Sequence, residues 1–489
     1  MRIELAIVVA IAAGCGPAHV LTRPQGDGGW STERRQDELA ARATAARVDL
    51  AAAPLSTESM GTEDLAAPID LGQVLRLAAA ENRRVVEADR DVAMAGERVV
   101  EARGRLFPSV SGQGRYSWYT DPQTTSVALP PKTLAALGGQ APVVIVRETE
   151  FGTASGVVTV PIDIFGEITK GLTAAQAGYR AEEARRFATL LGEQVAAVRS
   201  YFALLEVLRL HAVAEQTLAA QRQQLANAQA RVDAGRLTRN ELLVVQVAVR
   251  NTEQRLRNLD LAMAQARWTL NGTIGRPIDA PTRIDDVIDR PQLPSIADAL
   301  RDAYAHNPVL LALIEEQQRL EDTTSAISRS RLPQVQGGGA IDYTSSEVVA
   351  PQRVESAFAG LTWNFDLGGR KQAQVDQARL AAEQNRTRIE RSLREVEATV
   401  RATREAVEER LASLESAETA VRQADENLRI RVQQFDVGRA TSQDVLDAEA
   451  LLAQQRAVLA SALYQAHARR AELQQVMGLP IDAIRPGPR

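Results

Sequence analysis

The chain has 489 residues, of which 45% are hydrophobic, 24% are charged and only 4% are aromatic. Its 57 basic and 62 acidic side chains leave a net charge of -5, which gives no reason to expect nucleic acid as a partner. No run of about 18 apolar residues follows the N-terminus, so the sequence predicts no transmembrane helix, and a membrane role would require a β-barrel or an anchor.

The N-terminus has the pattern of a secretory signal. A short positive start and an apolar stretch precede Cys15, which directly follows Ala-Gly. This arrangement resembles the lipobox of bacterial lipoproteins, in which the cysteine is acylated and becomes the first residue. We expect residues 1–14 to be a signal peptide, Cys15 to be lipidated and residues 15–69 to be a linker. The alternative is a secretory signal whose Cys15 is removed or left unmodified.

From residue 70 onward the chain is a tandem repeat. Four pairs of landmarks show it: Leu75–Asn82 with Leu300–Asn307, Phe107-Pro108 with Leu332-Pro333, Pro161–Gly166 with Asn364–Gly369, and Gly235 with Gly438. The first two pairs lie 225 residues apart and the last two 203, so the first half carries an insertion, expected as a loop at 122–142. We expect a first repeat at 70–277, a linker at 278–294, a second repeat at 295–480 and a tail at 481–489.

Each repeat is predicted to run helix, two strands, long helix, turn, helix. The first helical segment spans roughly 35 residues, as does the last. The long helices are expected at 166–235 and 369–437, and about 70 residues at 1.5 Å per residue would reach about 105 Å. Apolar positions in the first long helix recur every three or four residues, which indicates a coiled-coil seam: Phe187, Leu191, Gln194, Val198, Tyr201, Leu205, Leu208 and Ala212.

The strands are predicted at about 109–120, 148–162, 334–345 and 355–366. In the first strand Tyr116 and Trp118 alternate with Arg115 and Ser117. Strands of about 9–11 residues cross a bilayer in a tilted barrel. Because four strands cannot close such a barrel, the membrane interpretation requires oligomerisation. A small soluble antiparallel sheet is the alternative.

The two turns between helices are built alike. Each places Gly-Arg before a Thr, an acidic residue and an apolar run. Glycine takes the left-handed conformation that reverses a helix end. In the second turn Asp444 and Asp447 are three residues apart, so they share one helix face. Two acids on a solvated helix N-terminus are the plainer interpretation of the same pattern.

Together these features resemble the TolC family of bacterial outer-membrane efflux proteins. The likeness rests on the element order of both halves, the Phe-Pro and Leu-Pro before the strands, and three segments: Asp366–Gly369, Val437–Thr441 and Asp444–Asp447. It covers about residues 70–480. With the lipobox-like Cys15, the most similar branch is the lipidated subfamily that works with resistance-nodulation-division pumps.

The resemblance implies a mainly α fold with a β-barrel part. Members are homotrimers that pool four strands per subunit into one twelve-stranded transmembrane β-barrel, and their long helices form an α-barrel across the periplasm. The chain would then be lipid-anchored in the outer membrane of a Gram-negative cell, in contact with outer-membrane lipid. The implied partners are a periplasmic adaptor protein and an inner-membrane pump. The implied function is the passive exit duct of a tripartite efflux pump.

The resemblance also assigns roles to the turns, which would lie at the periplasmic tip and contact the adaptor. The residues expected at this contact are Gly235, Arg236, Leu237, Thr238, Gly438, Arg439, Ala440 and Thr441. Any helical hairpin needs such turns, so a purely structural role is the alternative.

Four polar residues match family positions at the narrow pore entrance. Asp444 and Asp447 match paired aspartates that ring the opening, while Asn240 and Glu241 match positions that hold the tip closed. In a trimer the crowded carboxylates would attract cations. Arg236, Arg239 and Arg439 are expected to pair with these acids across subunits.

Other functions remain open at this point. A duct for type I protein secretion shares the same architecture, and a coiled-coil scaffolding lipoprotein would share the helices. Enzymatic function is not indicated, because the four histidines lack metal-ligand spacing and the chain has no phosphate loop, dinucleotide fingerprint or nucleophile elbow. We therefore expect no catalytic residue, no metal site and no cofactor.

Overall fold

The structure is a computed structural model that describes residues 68–136, 138, 142–286 and 289–481. The expected signal peptide, Cys15 and nearly all of the expected linker lie outside the described residues, as do residues 482–489. None of the helices within these ranges is both long and apolar enough to cross a membrane.

Helices make up most of the described chain. They are α1 Leu71–Glu81, α2 Arg83–Gly104, α3 Pro131–Ala136, α4 Glu167–Asp233, α5 Arg239–Thr273, α6 Ile296–His306, α7 Pro308–Arg329, α8 Arg370–Asp436 and α9 Ser442–Met477. The strands are β1 Pro68–Ile69, β2 Ser109–Trp118, β3 Gln123–Ser126, β4 Val143–Arg147, β5 Glu150–Ile162, β6 Arg283–Ile284, β7 Gln334–Thr344 and β8 Arg353–Thr362. The two long helices, α4 and α8, have 67 residues each and are rich in residues of high helix propensity.

Both long helices begin with the same cap. A left-handed glycine precedes each helix. The carboxylate of Asp163 accepts hydrogen bonds from the backbone N–H and the hydroxyl of Thr169, at 2.8 and 2.7 Å. In the second repeat Asp366 accepts the backbone N–H of Lys371. These carboxylates accept hydrogen bonds from backbone N–H groups that the start of a helix leaves without a partner. This explains why α4 and α8 begin at equivalent positions of the two repeats.

The helical segment of roughly 35 residues before the strands consists of two helices with a break between them. Asn82 separates α1 from α2, and Asn307 separates α6 from α7. Each asparagine has an extended backbone, and its side-chain oxygen caps the following helix. Its side-chain N–H donates to a distant helix end: Asn82 to the carbonyl of Thr273 at 3.0 Å, and Asn307 to that of Val476 at 2.8 Å. The breaks therefore dock the short helices onto the ends of α5 and α9.

Four strands form one antiparallel sheet in the order β2-β5-β7-β8. Its register pairs Arg115 with Thr153, Thr153 with Thr344, and Asp342 with Val354. Within the described residues, no strand pairs with the outer edge of β2 or β8. The sheet thus has two open edges, each with unpaired backbone donors and acceptors.

The insertion of the first half is a ribbon, which corrects the expectation of a loop at 122–142. β3 and β4 pair antiparallel with each other alone, and α3 lies between them. The β-branched run in β4 favours a strand. Prolines at both ends of the insertion concealed this signal.

The largest hydrophobic core lies where α1 packs against the middle of α4. It contains four residues of the predicted seam, Leu191, Val198, Tyr201 and Leu205, and Phe187 and Leu208 pack against it. The ends of α5 and α9 complete the cluster through Leu270, Ile274, Tyr464 and Ala471. The seam is therefore part of a core shared by both repeats.

Candidate functional site

The first turn ends α4 and begins α5. Gly235 has φ 68°, in the left-handed region. Its backbone N–H donates to the carbonyl of Val232 at 2.9 Å, and that of Arg236 donates to the carbonyl of Arg231 at 2.8 Å. This pair of bonds is the Schellman motif, which satisfies carbonyls left free at a helix C-terminus.

The second turn, from α8 to α9, repeats this geometry. Gly438 has φ 74°. Its N–H donates to the carbonyl of Phe435 at 3.0 Å, and that of Arg439 donates to Gln434 at 2.7 Å. A Cβ added to either turn glycine would meet no atom within 4 Å, so these glycines are required by backbone conformation rather than by close packing.

Each turn leads into its next helix through a capping box. In the first turn the N–H of Thr238 donates to the carboxylate of Glu241 at 3.1 Å, and the N–H of Glu241 donates to the hydroxyl of Thr238 at 3.3 Å. Thr441 and Asp444 form the same reciprocal pair, at 2.8 and 3.2 Å. Two of the predicted pore acids therefore also fix the starts of α5 and α9.

One ion pair connects the two turns. The guanidinium of Arg231, at the end of α4, lies 3.0 Å from the carboxylate of Asp436, at the end of α8. It also lies over the ring of Phe435, 4.6 Å from the ring centroid. Both side chains are partly exposed, so the ion pair contributes at most about 1 kcal/mol. The main role of this ion pair is to hold the ends of α4 and α8 side by side.

Apolar side chains hold the two turns together from beneath. Ala228, Leu242, Val245 and Leu446 form a buried cluster that draws on α4, α5 and α9. Leu237, in the first turn, packs against this cluster. The two repeats therefore present their turns at one end of the molecule.

The two aspartates of the second turn have different surroundings. Hydrogen bonds from the backbone and hydroxyl of Thr441, together with the charge of Arg431, lower the pKa of Asp444 below its ordinary value. Asp447 is exposed and accepts a hydrogen bond from the side-chain amide of Gln443 at 2.7 Å. Asp444 is thus committed to the cap, whereas Asp447 presents its carboxylate to solvent.

The remaining polar residues of the turns are exposed. Asn240, Arg236, Arg239 and Arg439 all lie at the surface. Within the described ranges, none of the three arginines forms an ion pair with another part of the same chain. Sequence reasoning missed the connection between Arg231 and Asp436, because it depends on how the two repeats lie side by side. It also missed the capping role of Glu241 and Asp444, although Thr-x-x-Glu and Thr-x-x-Asp are readable signals.

The four-stranded sheet has two chemically different faces. The exposed apolar side chains of one face are Val110, Tyr116, Trp118, Val158, Val160, Ile162, Ile341, Tyr343 and Leu361. The strand register places mostly polar side chains on the other face, together with the exposed Val354 and Phe358: Ser111, Gln113, Arg115, Thr153, Ser155, Asp342 and Ser356. An apolar outer face and a polar inner face are what a barrel strand needs when lipid lies on one side and water on the other.

The sequence matches the family model for outer membrane efflux proteins over residues 74–276 and 299–479. The chain belongs to the outer membrane efflux protein family. The two matched segments coincide with the two repeats, and the break between them falls on the linker. This membership confirms the resemblance to the TolC family. A search of curated proteins finds no match.

Solved structures of outer-membrane channels share the fold. The Campylobacter jejuni CmeC outer membrane channel has a TM-score of 0.69 at 14% identity, with 83% of this chain and 85% of that chain covered. VceC from Vibrio cholerae has a TM-score of 0.69 at 15% identity, covering 84% and 97%. The open state of the Neisseria gonorrhoeae MtrE channel has a TM-score of 0.69 at 18% identity, covering 85% and 90%. These matches confirm the expected fold class of long α-barrel helices with β-barrel strands in an internally repeated chain.

Proposed function

We propose that this outer membrane efflux protein is the passive exit duct of a tripartite pump. It would act with a periplasmic adaptor protein and an inner-membrane pump of the resistance-nodulation-division type. The observation that carries the proposal is a two-faced sheet with two open edges, attached to helices of 67 residues. At 1.5 Å per residue such helices reach about 100 Å, a length suited to bridging the periplasm.

The sheet supports a homotrimer. Three successive antiparallel pairings, β2 with β5, β5 with β7 and β7 with β8, connect the two edge strands. β2 and β8 therefore run in opposite directions. The edge of β8 in one copy can therefore pair antiparallel with the edge of β2 in the next copy. Three copies pool twelve strands, and the closed barrel leaves no exposed edge. Lipid then contacts the apolar face, and water fills the polar interior.

The long helices support the same closure. In the half of the molecule near the turns, α4 packs against α5 and α9, and α9 packs against α8, so α5 and α8 are the outer flanks. α5 exposes Leu243, Val247 and Leu261. A neighbouring copy would cover these side chains by placing its α8 against α5. A lone soluble scaffold would leave them in water.

The duct is tested by fractionation and electrical recording of the full chain. We expect the protein in the outer-membrane fraction, a heat-sensitive trimer in gel electrophoresis, and ion conductance in a planar bilayer after purification in detergent. Cys15 would carry acyl chains, detected by palmitate labelling that Cys15→Ser abolishes. A monomer that salt washes from the membrane and that conducts no ions would refute the duct.

The aspartates of the second turn are proposed as a cation-attracting ring at the tip, where the Gly-Arg turns contact the adaptor. We expect Asp447→Asn to reduce cation selectivity and block by multivalent cations in planar bilayers, because it removes one solvent-facing carboxylate per subunit. Its stability should be unchanged, since the Asp447 carboxylate caps no helix.

Asp444→Asn is the informative companion variant. It removes a charge from the same helix face but also weakens the cap with Thr441. A ring requires both variants to reduce selectivity, whereas only Asp444→Asn should lower thermal stability. Unchanged selectivity and block in both variants would leave the aspartates with a structural role alone.

A further inference from the structure

The polar face of the sheet carries very few charges. On β2, β5, β7 and β8 the register assigns Arg115 and Asp342 to the polar face and the other charged residues, Glu150, Arg353 and Glu355, to the apolar face. Arg353 and Glu355 pair with each other across 2.5 Å. Arg115 and Asp342 are exposed, and neither forms an ion pair within the described part of the chain.

These two charges lie in one cavity. A cavity of about 440 Å³ is lined by Gln113, Arg115, Ser155 and Asp342 from the strands, and by Val349 and Pro351 from the connection between β7 and β8. Most of the strand residues that line the cavity, including these four, belong to the polar face, and Ala154 and Tyr343 belong to the other face. The connection, residues 345–352, therefore folds over the polar face rather than extending away from the sheet.

The fold of this connection is fixed by backbone hydrogen bonds. The N–H of Ser345 donates to the carbonyl of Gly152 at 2.8 Å, and the N–H of Gly152 donates to the hydroxyl of Ser345 at 2.7 Å. The N–H of Thr344 donates to the carbonyl of Gln352 at 2.9 Å. Ser346 is buried. The connection is thus anchored at both ends and across β5.

Its position along the sheet is also defined. β2 and β7 both start directly after a helix, and their far ends are Trp118 and Thr344. The connection and the two charges therefore lie toward the end of the sheet that is remote from the helices. In the barrel of the proposed function, on which this inference rests, that end faces the cell exterior.

We propose that residues 345–352, with Arg115 and Asp342 beneath them, form a second constriction that filters charged solutes as they leave the barrel. Three copies place three guanidinium and three carboxylate groups around one opening, under a rim of Val349 and Pro351. Ions of either sign meet an attractive and a repulsive group there. The aspartates of the tip lie at the opposite end of the duct.

The filter is tested in planar bilayers on a background with Asp444→Asn and Asp447→Asn, so that the tip carboxylates do not dominate selectivity. Arg115→Gln should shift the reversal potential in a KCl gradient toward cation preference, and Asp342→Asn toward anion preference. Each change should alter the permeability ratio about twofold or more. Arg353→Gln, on the apolar face of the same sheet, is the matched control and should leave the ratio unchanged.

The rim is tested with single cysteines labelled by a bulky thiol reagent. Labelled Val349→Cys should lower single-channel conductance, whereas labelled Val348→Cys, one residue away and not lining the cavity, should not. The wild type treated with the reagent is the baseline. If the wild type forms no channel, the proposed duct fails. If it conducts but Arg115→Gln and Asp342→Asn leave selectivity at the background value, the constriction alone is refuted.

Discussion

Gly478→Ala should unfold the end of α9 and destabilise the protein by about 3 kcal/mol or more. Gly478 has φ 70°, and an L-residue in that conformation costs about 1 kcal/mol. The larger part of the effect is steric. A Cβ at this position would overlap the carbonyl group of His306 and lie 2.8 Å from the backbone nitrogen of Asn307. Backbone atoms cannot move aside without separating α9 from the junction of α6 and α7.

The matched control is Gly438→Ala in the second turn. Its φ of 74° imposes the same conformational cost, but an added Cβ would meet nothing within 4 Å. We expect a loss of only about 1 kcal/mol. Denaturant midpoints from far-UV circular dichroism in detergent compare the two variants directly. Equal losses would show that conformation alone, and not the contact with His306, governs Gly478.

The first repeat offers an independent replicate. Gly275 is the counterpart of Gly478, and a Cβ there would lie 2.8 Å from the carbonyl oxygen of Glu81. Glu81 precedes the break at Asn82, as His306 precedes the break at Asn307. Gly275→Ala should therefore resemble Gly478→Ala. A mild effect at Gly275 with a severe one at Gly478 would mean that only the second junction is rigid.

The turns and helix breaks differ in whether a local sequence pattern predicts them. The turns at Gly235 and Gly438 were predictable because a glycine between a helix end and a Thr-x-x-acid pattern is a local signal. The break at Asn307 has a local signal too, since Pro308 disfavours a helical conformation in the residue before it. Arg83 follows Asn82 instead, so that break depends on a hydrogen bond to Thr273, far away in the sequence.

The candidate sites likewise contain some features that a local sequence pattern predicts and others that depend on tertiary contacts. Period-two alternation allowed the two faces of β2 to be predicted, and spacing alone put Asp444 and Asp447 on one helix face. The inward fold of residues 345–352 depends on Ser345 meeting Gly152, a contact between the two repeats that no local pattern encodes. The same holds for Arg231 and Asp436. Contacts between repeats are set by tertiary packing, and a single sequence contains no direct record of them.

The stability of the protein should vary little between about pH 4.5 and 6.5, because the buried His467 and the partly buried Glu449 act in opposite directions. Burial lowers the pKa of His467 to about 4 from 6.5, despite a hydrogen bond at 2.7 Å between its Nε2 and the carbonyl of Asp289. Burial raises the pKa of Glu449 to about 7 from 4.5. One nitrogen of His467 and one oxygen of Glu449 are buried without a hydrogen-bond partner, which accounts for both shifts.

The two groups have opposite effects because the folded chain binds a proton less tightly at His467 and more tightly at Glu449 than the unfolded chain does. As the pH falls below 6.5 the unfolded chain protonates His467 but the folded chain does not until about pH 4, so this group favours folding less at low pH, by up to about 3 kcal/mol. Glu449 binds its proton more tightly in the folded chain. Its contribution is complete below pH 4.5 and is lost as the pH rises through 7, by about 2 kcal/mol after allowance for its partial exposure to solvent.

Single variants should show how each group alone makes the denaturant midpoint depend on pH. Glu449→Gln leaves His467 unopposed, so the denaturant midpoint should rise steadily from pH 4 to 6.5. His467→Gln leaves Glu449 unopposed, so the midpoint should fall between pH 4.5 and 7. The double variant should be flat again. If both single variants keep the wild-type profile, the two groups do not titrate as their burial requires. Because His467 lies in the shared core and Glu449 near the second turn, opposite slopes would also show that both regions unfold in one transition.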